Sequence, residues 1–393
     1  MSAPQLPPPD PELIEHSERL AAHIHAEIAA SGPIAFSRYM ELALYAPGLG
    51  YYSAGLHKFG RRGDFITAPE LGAVFAQTLA QVIAPVLRQL EQPTILEVGG
   101  GSGRFAVDLW RALAELEALP ERYWLLERSA DLRERQIERL EQELPAALPR
   151  IAWLDEPPRE RWDGVMVANE VVDALPVDLF EITASGPMER VVESVAGEFR
   201  FGLRPLQGLL AIQLPQLLES LPQPLPVGWQ GELLCTAGAW LDSVAGRLRD
   251  GMALLVDYGE VASDLYHPQR PQGSFRCFYR HRVHADPFWY PGLCDLTASV
   301  DFTALARAGD ELGFELAAYD TQSAFLRAAR IDLAIGDLSL LPEMKRIRVS
   351  QQLKTLMLPN EMGERFKVMA LIRQLDPEHL PDALTLPGQR HRL

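Results

Sequence analysis

The stretch Thr94 to Gly103, T-I-L-E-V-G-G-G-S-G, constrains the fold of this chain more than any other. A short apolar run ends in an acid, glycines follow at once, and a helix-like segment runs from Arg104 to Leu116; this reads as strand, tight loop and helix N-terminus. Glycine lets the backbone take positive φ and come close to a ligand, while the unpaired N–H groups of a helix start favour carboxylate or phosphate oxygens. Gly99, Gly101 and Gly103 form G-x-G-x-G, and the dinucleotide fingerprint fits only in a register that starts at Gly101 and ends at Ala106. The loop by itself therefore accommodates either NAD or S-adenosylmethionine. Two acids narrow the choice. Glu97, two residues before the first glycine, can meet a cationic ligand end, which leans toward S-adenosylmethionine. Glu127, closing the next expected strand (Tyr123 to Glu127), stands where an acid takes both ribose hydroxyls in either cofactor.

The cradle opens an alternating series: strand 94–98, helix 104–118, strand 123–127, helix 130–142, then strands 150–154 and 164–168. That period implies an α/β fold with a parallel sheet, helices on both faces and ligands at the carboxyl ends of the strands. The fourth strand runs into A-N-E-V-V-D-A-L-P, which puts Asn169, Glu170 and Asp173 on the same edge as the glycine loop. Before the cradle, a proline-rich leader (1–11) is expected to be mobile, and a helix is expected from Glu12 to Ala30. A second helix (Phe36 to Leu44), a glycine- and aromatic-rich loop from Ala46 to Pro69, and one helix from Leu71 to Leu90 follow. Long ordered loops carry function more often than not. From Val177 to about Gln230 the period changes to short alternating runs, V-V-E-S-V and E-F-R-F-G, which suggest hairpins inserted over the strand ends. The sheet resumes with M-A-L-L-V-D-Y-G, and Arg365 to Leu371 reads as a final strand.

Charge and cysteine usage exclude several classes. With 53 acidic and 37 basic residues among 393, the net charge is −16, and a nucleic-acid backbone would be repelled on average. Cys235, Cys277 and Cys294 are too few and too far apart for a disulfide framework. His281, His284 and Asp286 lack the further ligands a zinc site needs, so no metal is expected. The aromatics of the same loop (Phe275, Phe278, Tyr279, Phe288, Trp289, Tyr290) read as a small core rather than a substrate cage. No run approaches a membrane span and no targeting signal is evident, which leads to the expectation of a cytoplasmic protein without membrane insertion.

Eight stretches in order, from G-P-I-A-F-S-R-Y-M-E-L-A-L-Y-A-P-G-L-G-Y-Y through F-G-R-R-G-D-F-I-T-A-P-E, L-E-V-G-G-G-S-G-R-F-A, A-N-E-V-V-D-A-L-P-V, L-V-D-Y-G, C-F-Y-R-H-R-V-H-A-D-P-F and D-L-T-A-S-V-D-F-T to M-G-E-R-F-K-V-M, span about Gly32 to Met369. In them the chain resembles the MidA-like family of S-adenosylmethionine-dependent methyltransferases, whose mitochondrial members assist respiratory complex I assembly. The resemblance implies a Rossmann-like, seven-strand class I methyltransferase sheet with an N-terminal helical region and an inserted cap. It also implies methylation of an arginine on a protein, such as a complex I subunit. Gly100 departs from the alanine usual there, and Ser299 stands where the family often has histidine.

On this reading the chain divides into a leader (1–11), an N-terminal helical and loop region (12–90), a methyltransferase core (91–176 and 231–375) and a substrate cap (177–230). The residues expected to hold S-adenosylmethionine are Asp64, Phe65 and Thr67 from the glycine-rich loop, with Glu97, Gly99, Gly101, Gly103, Glu127, Asp155 and Asn169. A guanidinium stays protonated near neutral pH, so its acceptor nitrogen must be held by carboxylates in bidentate geometry. Glu170 and Asp173 are the expected clamp, with Asp301 in reserve; Asp173 has an alternative role as a helix N-cap. Three other activities use the same features: an assembly chaperone that keeps S-adenosylmethionine as a structural ligand, a small-molecule methyltransferase, and an NAD-linked oxidoreductase. A homodimer is compatible with the sequence.

Overall fold

The computed structural model describes residues 6–54 and 67–393. Asp64 and Phe65, expected at the cofactor, lie outside the described residues, as does the start of the leader. The chain forms two compact units, each assembled from separate stretches. One takes the described part of residues 66–172 with Ala237–Gly259 and Phe302–Leu393; the other takes the described part of residues 1–65 with Asp173–Thr236 and Glu260–Asp301.

The first unit is built on strands β1 (Thr94–Val98), β2 (Arg122–Leu126), β3 (Ile151–Leu154), β4 (Trp162–Asn169), β5 (Leu248–Glu260), β6 (Glu315–Thr321) and β7 (Phe366–Arg373). They lie in the order β3-β2-β1-β4-β5-β7-β6. All neighbours pair in parallel except β7, which is antiparallel to both β5 and β6. The direction of winding reverses between β1 and β4, the position where open α/β sheets bind ligands beyond their carboxyl ends. The central strands read as continuous apolar runs because both faces are covered: every residue of β1 is buried.

Four helices of this unit bear on the site: α1 (Ala68–Leu71), α2 (Val74–Leu87), α3 (Arg104–Glu115) and α4 (Ala130–Glu143). The helix expected over 71–90 forms as α2 over Val74–Leu87, and Gly72, with φ of 141°, separates it from the short α1 that contains Leu71. Apolar residues of α3 recur at helical spacing, and Phe105, Leu109, Trp110 and Leu113 are buried in the main core with Phe75, Leu79 and Ile83 of α2. Burying each such side chain contributes roughly 1.5–3 kcal/mol.

In the second unit, strands Asp178–Thr183, Gly186–Val195 and Glu198–Pro205 are the hairpins expected from their alternation, and Gln230–Leu233 and Ile34–Ala35 complete that sheet. A three-stranded sheet forms from Arg276–Tyr279, Arg282–His284 and Asp295–Thr297. Phe275, Phe288, Trp289 and Tyr290 pack against a core containing Phe36, Tyr39 and Tyr51, so these aromatics serve as core. The Phe36 and Phe275 rings meet edge to face at 5.0 Å.

Candidate functional site

The site is built at the carboxyl ends of β1, β2 and β4. In the ladders Val98 lies opposite Leu126 on one side and Ala168 on the other, so Gly99, Glu127 and Asn169 follow at one level. Gly99, Gly101 and Gly103 all have positive φ (69°, 53° and 76°). The Gly99 N–H donates to Leu126 O of the neighbouring strand at 3.0 Å, the Gly103 N–H donates to Gly100 O at 2.8 Å and closes the turn, and Gly103 caps α3 in the left-handed conformation. A Cβ on Gly99 would come within 2.9 Å of Val171 Cγ2, and one on Gly100 within 2.8 Å of Leu125 Cδ2. At both positions an added Cβ would displace a neighbouring side chain.

Two carboxylates are buried beside this loop. Glu97 is 4% exposed, and its Oε2 accepts from Tyr123 Oη at 2.6 Å. Burial pushes Glu97 up to about 8; the Tyr123 hydrogen bond pulls the other way, and the nearby Glu127 charge adds to the rise. Glu127 Oε1 accepts the Ser129 N–H at 2.9 Å, and its Oε2 accepts from Gln136 Nε2 at 3.1 Å. Gln136 also donates to Gly101 O at 3.0 Å and accepts from Trp153 Nε1 at 3.0 Å, so one fully buried amide ties the glycine loop to Glu127. Nothing in the local sequence marks Gln136, because a polar residue on an amphipathic helix is ordinarily solvated.

At the end of β4, Asn169 Nδ2 donates to Glu170 Oε1 at 3.2 Å, while Asn169 Oδ1 is buried without a hydrogen-bond partner among the described residues. Glu170 itself has φ of 53°, a left-handed conformation that costs a non-glycine residue roughly 1–3 kcal/mol. Its Oε1 also accepts the Ala68 N–H at 3.3 Å. Thr67 is the N-cap residue of α1, and Glu70, two residues after Ala68, accepts from the Ser102 hydroxyl in the glycine loop. The short segment Thr67–Glu70 therefore touches both the cradle and Glu170. Asp155, just after β3, is 84% exposed in its side chain and pairs with Arg133. Asp173 and Asp301 belong to the second unit. Asp173 is buried in a 3₁₀ turn (Val172–Ala174), with its carbonyl accepting the Ala298 N–H at 3.0 Å, and Asp301 ends the strand Val300–Asp301.

The donor set suits a nucleoside carrying a cationic end: backbone amides at a helix start, one buried carboxyl at β1, another at β2, and an unsatisfied amide oxygen at β4. Such a donor set at the switch point of an α/β sheet suits a nucleoside cofactor. The chain belongs to the S-adenosyl-L-methionine-dependent methyltransferase family, whose model matches residues 78–319. The protein arginine methyltransferase NDUFAF7 homolog, mitochondrial, of Drosophila melanogaster is 29% identical, over 96% of this chain and 91% of its own length. Protein arginine methyltransferase NDUFAF7, mitochondrial, of Bos taurus is 30% identical, over 89% of this chain and 82% of its own. A Burkholderia thailandensis protein crystallised with S-adenosyl-homocysteine is 41% identical, with a TM-score of 0.91 over 99% of this chain and 100% of that one.

The fold is accordingly the class I methyltransferase fold, and the protein is an enzyme that takes its methyl group from S-adenosylmethionine. The expectation of a cytoplasmic protein is overturned, because the named relatives are mitochondrial proteins. That expectation rests on a missing signal, and a missing signal does not assign a compartment. Among the described residues no helix is long and apolar enough to cross a membrane.

Proposed function

We propose that the chain transfers methyl groups to an arginine of a protein substrate. The acceptor class that the family resemblance implies is a subunit of a respiratory complex, and the relatives' names support protein arginine as the acceptor type. The observation that carries the reading is Glu170: a carboxylate directly after Asn169 at a strand's carboxyl end, held in a left-handed turn and tied by its Oε1 to both Asn169 and Ala68.

In this reading Glu97 meets the ammonium of the cofactor, the amides around Gly99–Gly103 receive its carboxylate, Glu127 takes the ribose hydroxyls, and Asn169 Oδ1 finds its missing donor. Asp155 is assigned to the adenine end and Thr67 to the cofactor. Bound S-adenosylmethionine supplies an electrophilic methyl group. Glu170 and Asp173 hold the guanidinium so that positive charge gathers away from the acceptor nitrogen, with Asp301 as the further candidate. Residues 177–230 are assigned as a substrate-binding subdomain and 91–176 with 231–375 as the methyltransferase core.

The test is incubation of the full chain and tritiated S-adenosylmethionine with lysate, followed by identification of the labelled residue. Label on protein arginine supports the reading, and label confined to small metabolites rejects it. Glu170→Gln should lower labelling about 10²–10⁴-fold with cofactor affinity held within a few fold.

A further inference from the structure

We propose that Asp257 is a positioning residue for Glu170; this rests on the reading of Glu170 as a guanidinium clamp. Asp257 lies on β5, 1% exposed, one residue beyond Val256, the ladder partner of Asn169. Its Oδ2 accepts two successive backbone amides from the turn after β4, Val171 N–H at 3.2 Å and Val172 N–H at 2.9 Å. Its Oδ1 accepts the Tyr258 N–H at 2.9 Å, which fixes the carboxylate plane. The Glu170 N–H donates to Val256 O at 2.9 Å. Three consecutive amides, 170 to 172, are therefore gripped by two residues of β5, and the residue held in the left-handed conformation is Glu170.

A turn does not hold a glutamate at positive φ by local preference, since only glycine and, less often, asparagine or aspartate settle there. The grip from β5 supplies the constraint, and at position 257 a carboxylate accepts the Val171, Val172 and Tyr258 N–H groups without presenting a donor of its own. Lys367 of β7, 2% exposed, stands directly across the ladder from Asp257, with its Nζ donating to Glu364 O at 2.6 Å. Paired ladder positions point to the same face, so the Lys367 side chain leaves the sheet on the same side as that of Asp257.

The test compares Asp257→Asn, Glu170→Gln and the double variant of the full chain. Hydrogen exchange over 169–172, calorimetric S-adenosylmethionine affinity and label transfer to lysate protein are read in each. Asparagine keeps the shape but turns an NH₂ toward backbone donors. Asp257→Asn should speed exchange over 169–172 at least tenfold and slow labelling about 10–100-fold, with cofactor affinity held within about threefold. The double variant should label no more slowly than Glu170→Gln alone, because both changes act through one side chain. Full labelling by Asp257→Asn, unchanged exchange, or a multiplicative loss in the double variant overturns the proposal while Glu170→Gln stays impaired. Wild-type labelling by Glu170→Gln overturns the reading of Glu170 and the positioning role with it. If Asp257→Asn does not fold, the Asp257→Asn/Lys367→Gln variant, which also replaces the buried amine across the ladder, carries the same expectations.

Discussion

Tyr123 Oη donates to Glu97 Oε2 at 2.6 Å, and both side chains are buried between β1, β2 and the helices that cover them. Burial raises Glu97 to about 8, from 4.5 when unfolded, so the folded ligand-free protein keeps a proton that the unfolded chain releases earlier. The contribution of Glu97 to stability is full below about 4.5 and is lost as pH rises through about 8. The Tm of ligand-free wild type should therefore fall relative to Glu97→Gln between pH 5 and 8. A cationic ligand end favours the ionised carboxylate, so cofactor affinity should rise with pH by up to about tenfold per unit over the same interval. Thermal melts and calorimetry across that range check both signs, and a Tm difference of opposite slope rejects the assignment.

Tyr123→Phe removes the hydrogen bond that favours the charged form of Glu97. Ionising Glu97 to receive the cofactor then costs more, and affinity near pH 7 should fall about tenfold, in line with a hydrogen bond to a charged group. Calorimetry at pH 7 and pH 9 separates this from simple loss of packing, because the defect should shrink at the higher pH.

Gly103→Ala and Gly100→Ala should differ in severity although they are three residues apart. Gly103 has φ of 76°, and its added Cβ would lie 3.3 Å from the Gln136 backbone Cα, which cannot give way alone. We expect a loss of about 1–3 kcal/mol and at least tenfold weaker cofactor binding, since Gln136 ties Gly101 to Glu127. At Gly100 φ is not positive, and the contacts, Leu125 Cδ2 at 2.8 Å and Gln136 Nε2 at 3.2 Å, are with ends of side chains rather than backbone. That substitution should cost less than the one at Gly103, about 1 kcal/mol. Chemical denaturation of both variants tests the order.

The parts of this molecule legible in its sequence are those whose cause is local. The strand at Thr94–Val98 is buried on both faces and so reads as one apolar run, and the glycines after it announce a turn. The final strand over Phe366–Arg373 is legible for the same reason. What sequence period cannot carry is pairing between distant segments. Ile34 and Ala35 add to the sheet opposite Val192 and Val191, although two residues give no alternation to read. The grip of Asp257 on the turn after Asn169 likewise spans two distant strands. Its one sequence signal is an acid closing the apolar run M-A-L-L-V, which a solvated residue would not explain. The helix break at Gly72 escapes because apolar period continues on both sides of it.

Asn169 offers a test that separates the cost of an unsatisfied group from the gain of a ligand contact. Its Nδ2 is engaged with Glu170, while the buried Oδ1 has no partner among the described residues. A buried acceptor left unpaired costs about 1–3 kcal/mol, so removing it should not weaken the ligand-free protein as much as a core polar deletion ordinarily does. Asn169→Ala is accordingly expected to leave the ligand-free Tm within about 2 °C of wild type, with a larger shift arguing that Asn169 has a mainly structural role. The increase in Tm on adding S-adenosylmethionine should shrink, with affinity down about tenfold, because the oxygen that would receive a ligand donor is gone. Asn169→Asp keeps that oxygen and replaces the NH₂ beside Glu170 with a second anionic oxygen. Its cofactor-induced Tm shift should survive better than that of the alanine variant, while methyl transfer falls further because the like charge pushes on Glu170. Equal cofactor responses in the two variants would remove Asn169 Oδ1 from the binding site.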